Sequence, residues 1–248
     1  MSRVLPILFN MEMVRAILDG RKSCTRRIIK TQPQGYFEVS EEPLYIYDTD
    51  GKQGKITPPY QPGDILYVRE TFAWQPCWDC GMDAEQGGCE HEAERRLHDK
   101  KKEHGCCMYR ASCEDNEYPS ADTWHPSIHM KKDIARIWLK VTDVRVERLQ
   151  EITEVQAQAE GIRGYSKDGN LYKYAVTDDW WIDFHNKHRK SFFGGTWWQD
   201  MPRTAKDAFS YLWNSTIKKS DLTCYGWNAN PWVWVIEFER CKKPKGEN

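Results

Sequence analysis

The chain has almost no net charge: 36 lysines and arginines stand against 37 aspartates and glutamates, leaving -1 with histidine neutral. No global basic excess speaks for tight binding of a long polyanion, although a local patch over residues 21–30 still permits nucleic-acid contact. No apolar stretch reaches the length of a membrane span, there is no internal repeat, and no low-complexity linker divides the chain. These absences predict one elaborated domain over residues 1–248, with no membrane partner and ample length for a buried core. Residues 1–10 hold a short apolar run and no cleavage-site pattern, so a cytoplasmic protein is expected, and a monomer.

Cysteine, by contrast, is plentiful, and its distribution matters more than its count of nine. Cys77, Cys80, Cys89, Cys106, Cys107 and Cys113 crowd one region, while Cys24, Cys224 and Cys241 are scattered. A disulfide framework would be expected with a secretion signal and a smaller core, so a local metal site explains the crowding better. Cys77-x-x-Cys80 has zinc-knuckle spacing, which lets one tight turn fill two corners of a tetrahedron. Cys89 and Cys106 complete the expected set, with Cys107 or His91 as competitors for the fourth position. Four protein ligands leave no open coordination site, so such a zinc is structural and catalysis needs no cofactor. The plainer alternative is a packed loop of reduced thiols. Residues 77–113, with their cysteine, glycine and alternating charge, are expected to be an insertion.

The densest chemistry lies in Gly20-Arg21-Lys22-Ser23-Cys24-Thr25-Arg26-Arg27. Asn10 is an N-cap candidate, Val14, Ile17 and Leu18 share a helical face, and Gly20 supplies a left-handed C-cap. A short amphipathic helix should therefore end here and lead into a strand over Thr25 to Ile29. On that strand Thr25 and Arg27 share a face, while Lys22 needs a bend near Ser23 to reach Thr25. A threonine hydroxyl becomes a nucleophile when a base takes its proton, and Lys22 can serve if Arg21, Arg26 and Arg27 disfavour its charged form. Lys22 and Thr25 are expected at a surface-facing helix exit. A basic turn after a helix is otherwise a solvated surface or a phosphate contact.

Further along, residues 36–39 and 44–47 predict a hairpin. Pro62-Gly63-Asp64 predicts a turn into a strand from Ile65, buried on both sides, with Glu70 at its end facing a pocket or pairing with a neighbour. Trp124-His125-Pro126-Ser127-Ile128-His129 is extended, its histidines taken as structural polar contacts. Ile134 to Val141 alternates as a strand, with a turn at Asp143 before Val144 and Val146 extend it. Thr153 and Gln156 form a capping box for a short helix ended by Gly161. Glu160 then lies at a helix C-terminus, where the dipole disfavours a carboxylate; a surface glutamate is the plainer alternative. Residues 161–198 form a second, aromatic-rich insertion whose rings can cover a site or stack on a base, most of them packing into a core. Thr204 caps an amphipathic helix, and Trp232 to Glu239 is the last strand.

Gly20-x-Lys22-x-x-Thr25-x-Arg27, Pro62-Gly63-Asp64 before a strand, and strands at Ala135 to Val141 and Val233 to Phe238 together resemble the ASCH domain. The resemblance covers about half of the chain in separated blocks, and the segments 77–113 and 161–198 have no counterpart in the compact members. It implies an α+β fold, a mixed β-barrel of the PUA-like superfamily with flanking short helices. Many members carry glutamate where Thr25 stands. The threonine form is similar to the branch of small bacterial amidohydrolases that act on N4-acetylcytidine, where a lysine, a threonine and a glutamate form the catalytic set. Ile152-Thr153-Glu154 and Glu160 match that branch's glutamate-bearing helix in order and spacing, which raises the weight of Glu160. The longer form, with Trp124-x-Pro126-Ser127-Ile128-His129-Met130, is also similar to ASCH proteins of phage genomes.

The resemblance thus implies an amidohydrolase that removes an acyl group from N4 of a cytosine nucleoside or base. Lys22, Thr25 and Glu160 are its expected catalytic residues, and Arg21, Arg27 and Glu70 its substrate-binding ones. The competing expectation is an RNA- or modified-nucleotide-binding, or nucleolytic, module of the same superfamily.

Overall fold

A computed structural model of the chain describes residues 2–33, 37–41, 44–48, 54–76, 105–113, 123–167, 169, 171–188 and 197–244. In chain order these form β1 (Val4–Leu8), α1 (Met11–Leu18), β2 (Cys24–Ile28), β3 (Phe37–Glu41), β4 (Leu44–Asp48), β5 (Lys55–Ile56), β6 (Ile65–Arg69), β7 (Phe72–Pro76), β8 (Gly105–Tyr109), β9 (Trp138–Arg148), α2 (Glu154–Ala159), β10 (Arg163–Lys167), β11 (Leu171–Ala175), α3 (Asp178–His188), α4 (Trp197–Asp200), α5 (Ala205–Thr216), α6 (Leu222–Tyr225) and β12 (Trp232–Cys241). The class is α+β, and among the described residues the strands form open ladders, none of which closes into a barrel. No helix among the described residues is long and apolar enough to cross a membrane.

The chain divides into two compact units, each assembled from separated segments. The first comprises Met1–Arg15, Asp64–Lys140 and Arg240–Asn248. There β1 runs parallel to β6, with Val4 opposite Ile65 and Leu8 opposite Arg69. On its other side β6 pairs antiparallel with the start of β9, Leu66 opposite Leu139. Asp64, which begins this run, accepts from the backbone and side chain of Arg3. β7 and β8 pair antiparallel, and Phe72, Trp74, Cys107, Met130, Ile134 and Trp138 form an apolar cluster.

Several sequence expectations change here. β6 is not buried on both sides: Leu66 and Val68 are fully buried, whereas Ile65, Tyr67 and Arg69 are half-buried. β9 starts later than its alternation predicts, because Ile134 lies in a 3-10 turn closed by the Ala135 N–H donating to the Lys132 carbonyl. It then passes through Asp143 without a turn and continues to Arg148; Arg145, two residues on, donates to the Asp143 carboxylate. His125 makes paired backbone hydrogen bonds with Phe72 and stacks on its ring, and Ser127–His129, expected to be extended, instead form a 3-10 turn.

The second unit comprises Ala16–Gly63 and Val141–Glu239. β12 and β2 run antiparallel here, Ile236 opposite Thr25, and β3, β4 and β5 form a separate ladder that contains the expected hairpin. Val233, Val235 and Ile236 are fully buried, so both faces of this apolar strand are covered. The aromatic-rich segment folds as the β10–β11 hairpin followed by α3 and α4. Among its described rings, Trp181 is fully buried, stacks on Phe184 and meets Tyr211 of α5 edge-on, and Trp180 stacks on Phe184, whereas Tyr172 is exposed. Thr204 caps α5 as expected, its hydroxyl accepting from the Asp207 N–H, and the Glu154 carboxylate takes the next free donors, the Ala205 and Lys206 N–H groups.

Candidate active site

The second unit builds its site from a helix exit laid against a helix end. Asn10 caps the start of α1 by accepting from the Met13 N–H, and Gly20, with φ of 73°, turns the chain out after Leu18. The Arg21 and Lys22 N–H groups both donate to the Ala16 carbonyl, at 2.8 and 3.0 Å, which fixes the direction in which Lys22 leaves the helix. The segment then runs antiparallel to the end of α2: Ser23 N–H donates to the Ala159 carbonyl at 2.9 Å, Lys22 bridges Glu160, and Arg21 Nη1 donates to the Gly161 carbonyl at 2.7 Å. The expected capping box at Thr153 and Gln156 is formed, and Gly161 ends α2 at a φ of 106°, which side-chain-bearing residues avoid.

Lys22 and Glu160 meet in the interior. Lys22 Nζ donates to Glu160 Oε2 at 2.7 Å, to the Glu160 carbonyl at 2.9 Å and to the Cys24 carbonyl at 2.7 Å. Their side chains are only 1% and 4% exposed, so Glu160 is no surface glutamate, and neither Lys22 nor Thr25 sits at a surface-facing exit. Burial follows from the pairing of residues 21–23 with 159–161, which covers the helix exit with α2. Removing one member of a buried pair leaves the other charge uncompensated and costs about 3–5 kcal/mol.

Thr25 is buried on β2, one residue beyond the carbonyl that Lys22 holds. Lys22 is not part of that strand: it forms the bridge to Glu160, Ser23 intervenes, and β2 begins at Cys24. Alternation along β2 groups Thr25 with Arg27 and Cys24 with Arg26. Arg27 is half-buried; burial pushes its pKa down, while Tyr60 and Glu160 act in the opposite direction. The Cys24 thiol is pushed up to about 12, first by burial and then by the negative charge of Glu160.

Arg26 is the residue whose place strand parity could have signalled. Its Nη1 donates to Glu160 Oε1 at 3.3 Å, and its Nη2 to Glu147 Oε2 at 3.0 Å and Gln156 Oε1 at 3.2 Å. Gln156 therefore serves both the cap of α2 and the site. Glu147 accepts in turn from Arg145 Nε at 2.6 Å, and Arg145 also reaches Asp143 and Glu237, both at the half-exposed edge of the network. No local signal identifies Glu147, which reaches Arg26 across more than a hundred residues of chain.

Of the other expected site residues, Arg21 stays beside Lys22 and Glu160, whereas Glu70 belongs to the other unit. Arg21 binds Asp19 and the Gly161 carbonyl, so it pins the backbone beside Glu160. Glu70 belongs to the first unit, where both carboxylate oxygens accept from Arg136, at 2.9 and 2.8 Å, and the Arg136 guanidinium lies over the Tyr109 ring. Cys77, Cys80, Cys89 and His91 lie outside the described residues, and Cys106 is described only as backbone in β8. Cys107 packs in the apolar cluster of the first unit. Among the described residues no group of three or more histidine, cysteine or acidic side chains is arranged to hold a metal. No protein-family model, curated protein or solved structure matches the chain.

Proposed function

We propose that this chain is an ASCH-type amidohydrolase that removes an acyl group from N4 of a cytosine nucleoside or base. The observation that carries the reading is the buried contact of Lys22 Nζ with Glu160 Oε2 at 2.7 Å, which joins two residues 138 positions apart that the motif resemblance had already paired. Strands after Pro62-Gly63-Asp64 and at the chain's end, β6 and β12, add support for the PUA-like resemblance.

The chemistry balances within the set. Lys22 transfers a proton to Glu160 inside their ion pair, and the neutral amine then takes the proton of the Thr25 hydroxyl. Thr25 Oγ1 attacks the acyl carbonyl carbon, Arg27 and backbone donors stabilise the oxyanion, and the C–N bond breaks as Glu160 protonates the leaving N4. Water, deprotonated by the same groups, cleaves the threonyl ester to release the carboxylic acid and restore the hydroxyl. In a variant of this scheme Lys22 activates water directly and Thr25 only orients it. A structural zinc held by Cys77, Cys80, Cys89 and Cys106 belongs to the same reading and takes no part in these steps.

Incubation with N4-acetylcytidine, followed by measurement of cytidine and acetate, tests the proposal. Equimolar release of both is expected. A salt-sensitive affinity for RNA with no deacylation would replace it with the RNA-binding reading.

A further inference from the structure

The proposed chemistry gives tasks to Lys22, Thr25 and Glu160 and none to Arg26, although the Arg26 side chain is 1% exposed and grips the same carboxylate. Its guanidinium is divided. Nη1 goes to Glu160 Oε1, Nη2 to Glu147 and Gln156, and the buried Nε has no hydrogen-bond partner among the described residues. A buried cation with an unmet donor is a poor device for stability alone, since a well-packed apolar chain of similar volume commonly serves as well or better. An apolar chain cannot hold Oε1.

The two oxygens of Glu160 are claimed by different kinds of donor. Oε2 faces Lys22, an amine that can lose a proton, and Oε1 faces a guanidinium that cannot. We infer that Arg26 is a positioning residue: it fixes the rotation of the Glu160 carboxylate so that Oε2 exchanges the proton with Lys22 and the departing amine. Glu147, itself held by Arg145, anchors Arg26 from the other side. This role rests on the amidohydrolase reading and extends it. Arg26 acts through Glu160 and is not itself assigned a contact with substrate.

A double-mutant cycle tests it, with kcat and KM measured separately on N4-acetylcytidine for the wild type, Arg26→Met, Glu160→Gln and the double variant. Arg26→Met should lower kcat by roughly 10²-fold, the scale of a misplaced reacting group, with KM nearly unchanged. Arg26→Lys should restore only part, because it returns the charge without the fork. In the Glu160→Gln background Arg26→Met should cost almost nothing further. Losses that multiply would overturn the inference while wild-type turnover keeps the amidohydrolase reading; a wild type that does not turn over overturns that reading itself, and Arg26's role with it. If Arg26→Met does not fold, Glu147→Gln replaces it in the cycle: a lower kcat that vanishes as an effect in Glu160→Gln supports the inference, and an unchanged kcat overturns it.

Discussion

A Cβ built on Gly161 lies 3.0 Å from the Cβ of Ala16, and the Lys22 side chain stands just beyond it, at 3.7 Å. Gly161 is thus the point where the end of α2 is pressed against the last turn of α1, and its φ of 106° belongs to a region that side-chain-bearing residues rarely enter. Gly161→Ala meets both obstacles at once. We expect a loss of roughly 1–3 kcal/mol in denaturant unfolding, the usual cost of such backbone strain. Because Glu160 is the preceding residue, turnover should fall as well. Unfolding and turnover both at wild-type level would mean that the two helix ends need no close approach.

Lys22 and Thr25 are buried, which changes how their roles must be tested. Lys22→Ala would leave the Glu160 carboxylate short of a partner and cost about 3–5 kcal/mol, so lost activity alone would be ambiguous. Lys22→Met avoids a cavity but leaves the same carboxylate without its ammonium partner, so unfolding has to be measured alongside, and deacylation should vanish from protein that is demonstrably folded. Thr25→Ala should abolish turnover with a smaller effect on stability. If folded Thr25→Ala still deacylates, the nucleophile is water and Thr25 only orients it.

What the sequence makes legible here is local. Asn10, Gly20, Thr153 and Gly161 act on backbone groups a few residues away, so their chemistry can be read without the fold, and each is found at the helix end it was expected to terminate. The burial of Lys22 and Glu160 is not local: it requires residues 21–23 to pair with 159–161, a contact that no periodicity encodes. Glu147 stayed hidden for the same reason. The sequence marks Arg26 only as a nearby cation acting on Lys22; its grip on Glu160 and Glu147 depends on the same long-range pairing, although i, i+2 parity groups it with Cys24 beside the Lys22 contact.

The cysteine spacing makes a prediction of its own. Cys77, Cys80, Cys89 and Cys106 imply about one tightly bound zinc per chain, which elemental analysis of protein purified without added metal would detect. Stripping the ion with a chelator should lower stability far more than kcat of the surviving folded protein. A metal-free preparation with titratable thiols would leave a reduced loop in place of a zinc site.

Cys24 ties stability to alkaline pH. Its thiol is pushed up to about 12 in the folded chain, whereas an unfolded cysteine titrates near its ordinary value of about 8.5. Between those values the unfolded state has lost a proton that the folded state keeps, so stability falls as pH rises, by about 1.4 kcal/mol per unit within the window. Other groups titrate there too, so the informative quantity is the difference between the wild type and Cys24→Ala. The two should run in parallel below pH 8, and the wild type should lose stability faster above it. Parallel curves throughout would mean that the buried thiol ionises as freely as an unfolded one.

Glu160 carries the sharpest prediction, because its proposed proton has a defined destination. Glu160→Gln keeps the shape of the side chain and an oxygen for Lys22 or Arg26, but it cannot pass a proton to N4. Turnover of the amide should fall by roughly 10² to 10⁴, the usual range for general acid–base catalysis, with a smaller change in KM. An activated ester of the same acyl group, whose leaving group departs without protonation, removes the demand for that proton. It should therefore be hydrolysed by Glu160→Gln at a rate much closer to wild type than the amide is. Equal losses on the two substrates would show that Glu160 serves to hold Lys22 in place, and the proton to the departing amine would then have to come from Lys22 itself or from water.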